Sequence, residues 1–335
     1  MVSFALVTCL AAAPLELAVV SKDVASSTLD VRWQSMEVGS TLAEPFARLQ
    51  VQPDETFRAI ALPGSRSVAI VRVPALTRDL SFASSLTIVA PGQAERTLAT
   101  SVVRASQPVL LGQRLFVERG VAGAESPDSF RVDTLSITEV SVASGRLRTV
   151  FETKGFWTHL AGVFEHELIL YVAGPEGARL LAVHVDTLAV RTLVPSLPAL
   201  AHDFTVDAAK KSVLFTIAEP GVERWFVERV ELLTGRRERL AEGDTVALLP
   251  AVLPSGVAYS AAQGQGLRWA GRDGVALPSH GAGFERVRFI AEGLVFVRHE
   301  VPGDAPTVYA LSAKDLKPVP LTLPTGIVDV AGVRR

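Results

Sequence analysis

The chain has 335 residues, of which 48% are hydrophobic and 20% are charged, and its formal net charge at pH 7 is -2. This length can bury a large core, and the near-neutral charge argues against nucleic acid as a partner, because phosphate binding needs a basic face. Cys9 is the only cysteine, which excludes an internal disulfide and a multi-thiolate metal site, and the sequence contains no Asn, a common calcium ligand.

The N-terminal segment MVSFALVTCLAAAP is apolar and rich in small residues. It resembles the hydrophobic and cleavage regions of an export signal, and it is too short to span a bilayer. Residues 6–9 also match a lipobox-like pattern that would make Cys9 a lipid anchor, although no Lys or Arg precedes the apolar run. We therefore expect a signal or lipoprotein segment over 1–13 and a single domain over 14–335. The alternative is the first β-strand of a cytoplasmic protein.

Short strands joined by tight turns fill the rest of the chain. The turns of the first kind of hairpin contain, in chain order, Gly64, Gly112, Glu165, Asp207, Gly256 and Gly293. Alternating β-branched and aromatic residues bounded by Gly, Pro, Asp and Ser are typical of strands, and no amphipathic helix of three turns is visible. The sequence therefore predicts an all-β protein.

A second kind of hairpin follows each of the first kind. It reads VSVASGRLRTV from Val140, VHVDTLAVRTL from Val183, VELLTGRRERL from Val230 and LRWAGRDGVAL from Leu267, with looser versions from Leu86 and Tyr309. The copies recur at intervals of roughly 40 residues, a period typical of β-propellers with four strands per blade. We therefore predict a β-propeller.

The two ends of the chain contain incomplete units. The last segment, GIVDVAGVRR, supplies one strand, and the segment beginning LELAVVSKDV supplies strands that lack a first strand before them. Because closing the ring of stacked sheets removes its open ends, we expect the last blade to be completed by both termini. This gives about seven four-stranded blades. Six is the alternative, if the N-terminal strands only complete the last internal unit.

Arginines concentrate after the turn of the second hairpin, in the predicted outermost strands. They are Arg146, Arg148, Arg191, Arg236, Arg237, Arg239 and Arg272. Charged side chains on an exposed strand edge discourage pairing with other chains, and this is our interpretation of the cluster. The alternative is a basic rim that binds a partner.

One unit, FTVDAAKKSVLFTIAEPGVERWFVERVELLTGRRERLAEG, resembles the repeat of TolB-like propellers and of the related propellers of prolyl-oligopeptidase-type enzymes. Residues 206–209 stand where that repeat has a Pro-Asp-Gly-type turn, and residues 234–236 where it has a Thr-Gly turn before a basic strand. Residues 184–187 (HVDT) are a second, weaker match. The resemblance implies a propeller that binds other proteins or controls access to a neighbouring catalytic domain.

Signatures of enzymes and metal sites are missing or incomplete. No GxSxG motif occurs, and residues 165–167 (EHE) lack the second His of a zincin and fall in a predicted turn. We therefore expect no catalytic residues, metal or cofactor. The alternative is a propeller hydrolase or lyase that uses carboxylates and histidines in the central channel.

Candidate partner-binding residues lie where the chain enters the predicted innermost strands, because these segments converge at one mouth of a propeller channel. They are Phe156, Trp157, His159, His202, Asp203, Phe284, Glu285 and Arg286. Aromatic residues and Arg are the usual anchors of protein interfaces. The alternative is that Trp157 and Phe204 wedge between blades while His202 and Asp203 hydrogen-bond the backbone.

Together these patterns predict a non-enzymatic, exported propeller of the periplasm or cell envelope that binds another envelope protein or acts as a scaffold. We expect it to be monomeric by itself. A structural component of an envelope assembly is a third hypothesis.

Overall fold

The computed structural model describes residues 15–37, 39–74, 83–103, 106–122, 132–154, 157–198, 201–218, 224–240, 246–261, 266–270, 283–301 and 306–335. All its regular elements are β-strands, which confirms the all-β prediction. The predictions for residues 1–13 with Cys9, for Phe156 and for Arg272 fall outside the described residues. The described part of the chain contains no helix with the length and hydropathy needed to cross a membrane.

The strands are, in chain order, β1 (Glu16–Asp23), β2 (Thr28–Ser35), β3 (Ala47–Gln50), β4 (Thr56–Ala61), β5 (Val68–Val73), β6 (Ser84–Val89), β7 (Arg96–Val102), β8 (Val109–Leu111), β9 (Arg114–Ala122), β10 (Val132–Val140), β11 (Leu147–Lys154), β12 (Trp157–Phe164), β13 (Glu167–Gly174), β14 (Gly177–His184), β15 (Val190–Leu197), β16 (His202–Asp207), β17 (Ser212–Ala218), β18 (Trp225–Glu231), β19 (Arg237–Leu240), β20 (Leu248–Leu253), β21 (Gly256–Ser260), β22 (Leu267–Trp269), β23 (Phe284–Ala291), β24 (Leu294–Glu300), β25 (Thr307–Ser312), β26 (Pro318–Val319) and β27 (Ile327–Arg334).

Within the described ranges these strands form six antiparallel sheets, one of which has eight strands. A single pairing, Val102 with Arg119, joins the two halves of the eight-stranded sheet. We treat the halves separately and number the resulting groups as units. They are unit 1 (β27, β1, β2, β3), unit 2 (β4–β7), unit 3 (β8–β11), unit 4 (β12–β15), unit 5 (β16–β19), unit 6 (β20–β22) and unit 7 (β23–β26).

Unit 1 combines strands from the two ends of the sequence. Strand β27 pairs antiparallel with β1, so that Glu16 lies opposite Arg334 and Val20 lies opposite Asp329. Strand β27 therefore takes the first position of unit 1, the position that β4, β8 and the later first strands take in their own units.

The position of a strand within its unit explains its composition. The second strands β5, β13 and β17 are almost continuously apolar and buried, because neighbouring units cover both of their faces. The last strands β11, β15 and β19 are mostly exposed.

The arginines of these last strands are tied to glutamates of their own units. Arg148 donates to Glu139 at 2.6 Å, Arg191 donates to Glu167 at 2.6 Å, and Arg237 pairs with Glu228. In units 3, 4 and 5 the arginines thus cover the outer edge while a glutamate of the same unit holds them.

The repeated second hairpin is a repeated backbone turn. In unit 5 the Gly235 N–H donates to the Glu231 carbonyl at 2.9 Å, and φ of Gly235 is 71°. Gly145 takes the equivalent position in unit 3 with φ 71°, whereas Leu188 and Leu316 take it in units 4 and 7 with φ 59° and 57°. Glycine is favoured there because a Cβ makes the left-handed conformation costly.

The hydrophobic core is divided among the interfaces between units. Each of the seven buried clusters in the described structure combines residues of two consecutive units. Phe57 packs with Trp33 between units 1 and 2, and Phe296 packs with Leu17 between units 7 and 1. Every unit therefore buries apolar surface on both sides.

Candidate binding site among the first strands

The first strands of the units lie side by side and surround a cavity of about 590 Å³. Six units supply its described wall. The contributions include Arg58 from β4, Val109 from β8, Trp157, His159 and Leu160 from β12, His202, Asp203, Phe204 and Thr205 from β16, Leu249 and Pro250 from β20, and Arg286, Val287 and Arg288 from β23.

Irregular pairing turns several first strands toward this cavity. The register with the second strand shifts in β12 between Leu160 and Gly162, in β16 between His202 and Thr205, and in β20 after Leu248. Such bulges let consecutive residues face the same side of a strand. Asp203 lies within one of them in a left-handed conformation, with φ 54°.

Five of the candidate residues from the sequence meet at this cavity: Trp157, His159, His202, Asp203 and Arg286. The structure places the other two described candidates elsewhere. Phe284 begins β23 outside the described cavity wall.

Glu285 points into the interior between units 6 and 7. It is 1% exposed, its N–H donates to Ser260 Oγ at 3.1 Å, and its carboxylate lies 3.0 Å from His299 Nδ1. Its backbone N–H therefore links unit 7 to unit 6, and its carboxylate pairs with His299 of its own unit.

The two aromatic residues that the alternative interpretation wedges between blades have different environments. Phe204 is partly buried between units 4 and 5, with its ring centroid 4.9 Å from Tyr171 and 5.7 Å from Phe215. Trp157, at the start of β12, is 44% exposed. The wedge interpretation therefore applies to Phe204, whereas Trp157 offers a large apolar surface beside the cavity.

His202, Asp203 and Arg286 form one hydrogen-bonded group in the cavity wall. His202 Nδ1 lies 2.7 Å from one Asp203 carboxylate oxygen, and Arg286 Nη2 donates to the other at 3.3 Å. Burial raises the pKa of Asp203, but the hydrogen bond from His202 and the charge of Arg286 outweigh this, so its pKa lies below the ordinary value. The carboxylate is therefore ionised at neutral pH.

His159 is held by a buried acid of the preceding unit. Its Nδ1 lies 2.8 Å from Glu118, which also accepts the Leu160 N–H at 2.7 Å. Burial alone would lower the pKa of His159, but attraction to the Glu118 carboxylate is stronger, so the pKa lies above that of a free histidine.

Sequence reasoning missed Arg288 and the groups that fix it. Arg288 donates to Asp329 at 2.8 and 2.9 Å and to Gln107 at 3.0 Å. Asp329 is completely buried and also accepts the Ala59 N–H at 2.8 Å. The signals in the sequence were two arginines in the strand FERVRFI and one Asp in the apolar strand GIVDVAG.

Arg58 was missed as well. Burial, together with the positive charges of Arg286, Arg288 and Arg298, lowers the pKa of Arg58 to about 10. The described residues of the cavity wall include three arginines and one carboxylate, Asp203, so guanidinium groups outnumber carboxylates in the lining.

The described residues contain no group of three or more His, Cys, Asp or Glu side chains placed to hold a metal ion.

No protein-family model matches the chain, and no curated protein matches it in sequence. Similar solved structures include TolB from Acinetobacter baumannii, with 10% identity over 95% of this chain and 65% of that one and a TM-score of 0.48. A chain of a nidogen/laminin complex gives 13% identity over 95% and 97% of the two chains and a TM-score of 0.47.

A structure from a study of two prolyl endopeptidases gives 12% identity and a TM-score of 0.56 over 91% of this chain. The match covers 49% of that chain, so this protein spans about half of the endopeptidase and about two thirds of TolB. The arrangement of sheets around a central cavity and the similarity to the endopeptidase structure together show an all-β chain whose fold resembles a β-propeller.

Proposed function

We propose that the seven units are the blades of a closed seven-bladed propeller, and that β27 completes the blade begun by the N-terminal strands. The distribution of the core supports this proposal, because a cluster joins unit 7 to unit 1 as others join units 1 and 2 or units 4 and 5. A ring of six blades would leave one of these interfaces unexplained.

We further propose that the protein is a non-enzymatic module that binds another protein at the mouth of the central cavity. The observation that carries this proposal is the exposed Trp157 beside a fixed polar group made of His202, Asp203 and Arg286. An aromatic anchor next to preorganised polar groups is typical of the energetically important part of an interface.

The hydroxyl groups of the cavity wall favour binding over catalysis. Among the described wall residues these are Thr205 and Tyr171, which donate to the carbonyls of Pro250 and Pro198 at 3.0 and 2.9 Å. A nucleophilic hydroxyl would instead need a base as its hydrogen-bond acceptor.

A hydrolase or lyase is the second candidate, and the pairing of His202 with Asp203 favours it. A carboxylate that fixes one imidazole nitrogen can orient the other as a general base. An activity on ester or glycoside substrates that His202→Ala abolishes, without loss of folded protein, would establish this candidate instead.

We place the protein in the periplasm or cell envelope on the basis of the export-like N-terminal segment. Mass spectrometry of the N-terminus of protein isolated from its native cells tests this proposal. A cleaved or lipidated N-terminus supports export, and an intact Met1 in the cytoplasmic fraction contradicts it.

The binding function is tested by affinity purification of the tagged full-length protein from its native envelope fraction. We expect a stoichiometric partner that Trp157→Ala no longer retains. Leu233→Ala is the matched control, because Leu233 is a large apolar residue that is 70% exposed away from the cavity wall. Equal retention of the partner by both variants would contradict the proposed site.

A further inference from the structure

The cavity presents positive charge to its interior and keeps most of its negative charge behind the wall. Arg58, Arg286 and Arg288 line it, whereas Asp329, which neutralises Arg288, has no exposed surface. Glu118, the partner of His159, is 1% exposed. A molecule entering the cavity therefore meets guanidinium and imidazole groups before it meets most of the carboxylates.

Fixed partners hold two of these guanidinium groups, Arg286 and Arg288, in place. Arg288 is fixed by two hydrogen bonds to Asp329 and by one to Gln107. Arg286 is held by Asp203 at 3.3 Å and by Glu300 at 3.6 Å. A ligand that binds them does not have to pay the cost of ordering long side chains, which is the advantage of a preorganised site.

Arg58 lies next to this pair although it comes from a distant part of the sequence. The N–H of the following residue, Ala59, donates to Asp329, which is the same carboxylate that holds Arg288. Both Arg58 and Arg288 line the cavity, so β4 and β23 place guanidinium groups on the two sides of β27. Planar guanidinium groups match the geometry of a carboxylate, which can accept from two N–H groups at once.

We propose that the cavity binds a carboxylate group on an acidic segment of the partner protein, with Arg58, Arg286 and Arg288 as its ligands. This inference rests on the proposed binding function and names the chemistry of the partner. The cavity volume of about 590 Å³ fits a few residues of a peptide, and Trp157 at its edge provides apolar contact for the flanking part.

The test is calorimetric titration of the full-length protein with the blocked peptide acetyl-Gly-Ser-Asp-Glu-Ser-Gly-amide. Its isosteric counterpart contains Asn and Gln in place of Asp and Glu, and succinate serves as a free dicarboxylate. We expect the acidic peptide to bind at least tenfold more tightly than its amide counterpart, with an affinity that falls as salt concentration rises.

Arg58→Gln should weaken binding of the acidic peptide at least tenfold. Arg236→Gln is the control, because it removes the same charge from a turn outside the described cavity wall, and it should change the affinity less than twofold. Arg58→Lys, which keeps the charge but loses the planar fork, should lie between the two. Thermal unfolding of each variant identifies any loss of affinity that comes from misfolding. If Arg58→Gln is misfolded, the test uses Arg58→Lys and the salt dependence of the affinity instead.

Equal binding of the two peptides, or equal weakening by Arg58→Gln and Arg236→Gln, would overturn the inference. If the captured partner binds at Trp157 but the acidic peptide does not compete with it, the carboxylate inference fails and the proposed function stands. If succinate binds as tightly as the peptide and no protein is captured, the ligand is a free carboxylate and the proposed function fails.

Discussion

Glu118 shows how a buried acid serves two neighbouring groups at once. It lies on β9 of unit 3 and is 1% exposed, and it binds both the His159 imidazole and the Leu160 N–H of unit 4. A buried carboxylate is tolerated only where hydrogen bonds and an opposite charge compensate for lost hydration. Glu118 therefore favours the protonated form of His159.

The raised pKa of His159 predicts a dependence of stability on pH. The pKa of His159 is about 6.5 in the unfolded chain and higher in the folded protein. Its protonation therefore stabilises the fold fully at pH values below 6.5, and this stabilisation is lost as the pH rises through the pKa of the folded state. We expect the melting temperature to fall between pH 6 and pH 9 more steeply in the wild type than in Glu118→Gln. Calorimetric melts of both proteins measure this difference.

In Glu118→Gln the amide oxygen can still accept the Leu160 N–H, so the variant removes mainly the charge. Nearby Asp203 also raises the pKa of His159 and Arg58 lowers it, and both remain in the variant. Identical slopes in the two proteins, or an NMR titration that gives His159 the same pKa in both, would contradict the interpretation.

At the residue scale the sequence predicts which segments reach the site better than it predicts which of their residues line the cavity. Glu285 and Arg286 are adjacent in the segment FERVRF and both were candidates, but Arg286 faces the cavity and Glu285 faces Ser260 and His299. Alternation along a strand places neighbouring residues on opposite faces, but it does not show which face lines the cavity. That choice depends on the neighbouring unit.

The second kind of hairpin, which joins the third and fourth strands of a unit, is the element that the sequence predicts best. Their turn position requires a positive φ, and where Gly145 and Gly235 fill it the repeat is easy to recognise. In unit 7 Leu316 fills the position and is completely buried, so packing there outweighs backbone preference and the repeat is harder to see.

Gly235→Ala should lower the free energy of unfolding by about 1 kcal/mol, because alanine at positive φ is strained. A Cβ at this position would meet no atom within 4 Å, so the cost is that of the backbone alone. Urea denaturation measures it. Leu188→Gly is the reverse change at the equivalent turn, where the leucine is 41% exposed, and it should not destabilise the protein.

No change in the unfolding midpoint of Gly235→Ala would show that the turn position tolerates a side chain, and the explanation of the repeat would then be wrong.

At the scale of the whole molecule, Asp329 joins three units. Its own strand, β27, belongs to unit 1, and its carboxylate binds the Ala59 N–H of unit 2 and Arg288 of unit 7. Ala59 and Asp329 are 270 positions apart in the sequence. No local pattern connects residues so distant, which is why Arg288 and the groups that fix it could not be derived from the sequence.

Asp329→Ala should cost about 3–5 kcal/mol of stability, because it leaves Arg288 buried without its partner. The double variant Asp329→Ala with Arg288→Ala should cost less than the sum of the single variants. Asp54→Ala, an exposed aspartate, is the control and should change stability little. Denaturant titration of the wild type, the two single variants, the double variant and Asp54→Ala gives the comparison. Additive effects of the two substitutions would contradict the assigned pair.

The pairing of β27 with β1 also has a consequence for how the chain folds. During synthesis β1 emerges before its partner β27, from which about 300 residues separate it, so unit 1 keeps an unpaired edge until β27 is made. Contacts of such large sequence separation form slowly, since the ends of a long chain must first meet. The edge of β1 is therefore expected to be the part of the nascent chain most open to pairing with another strand, until β27 covers it.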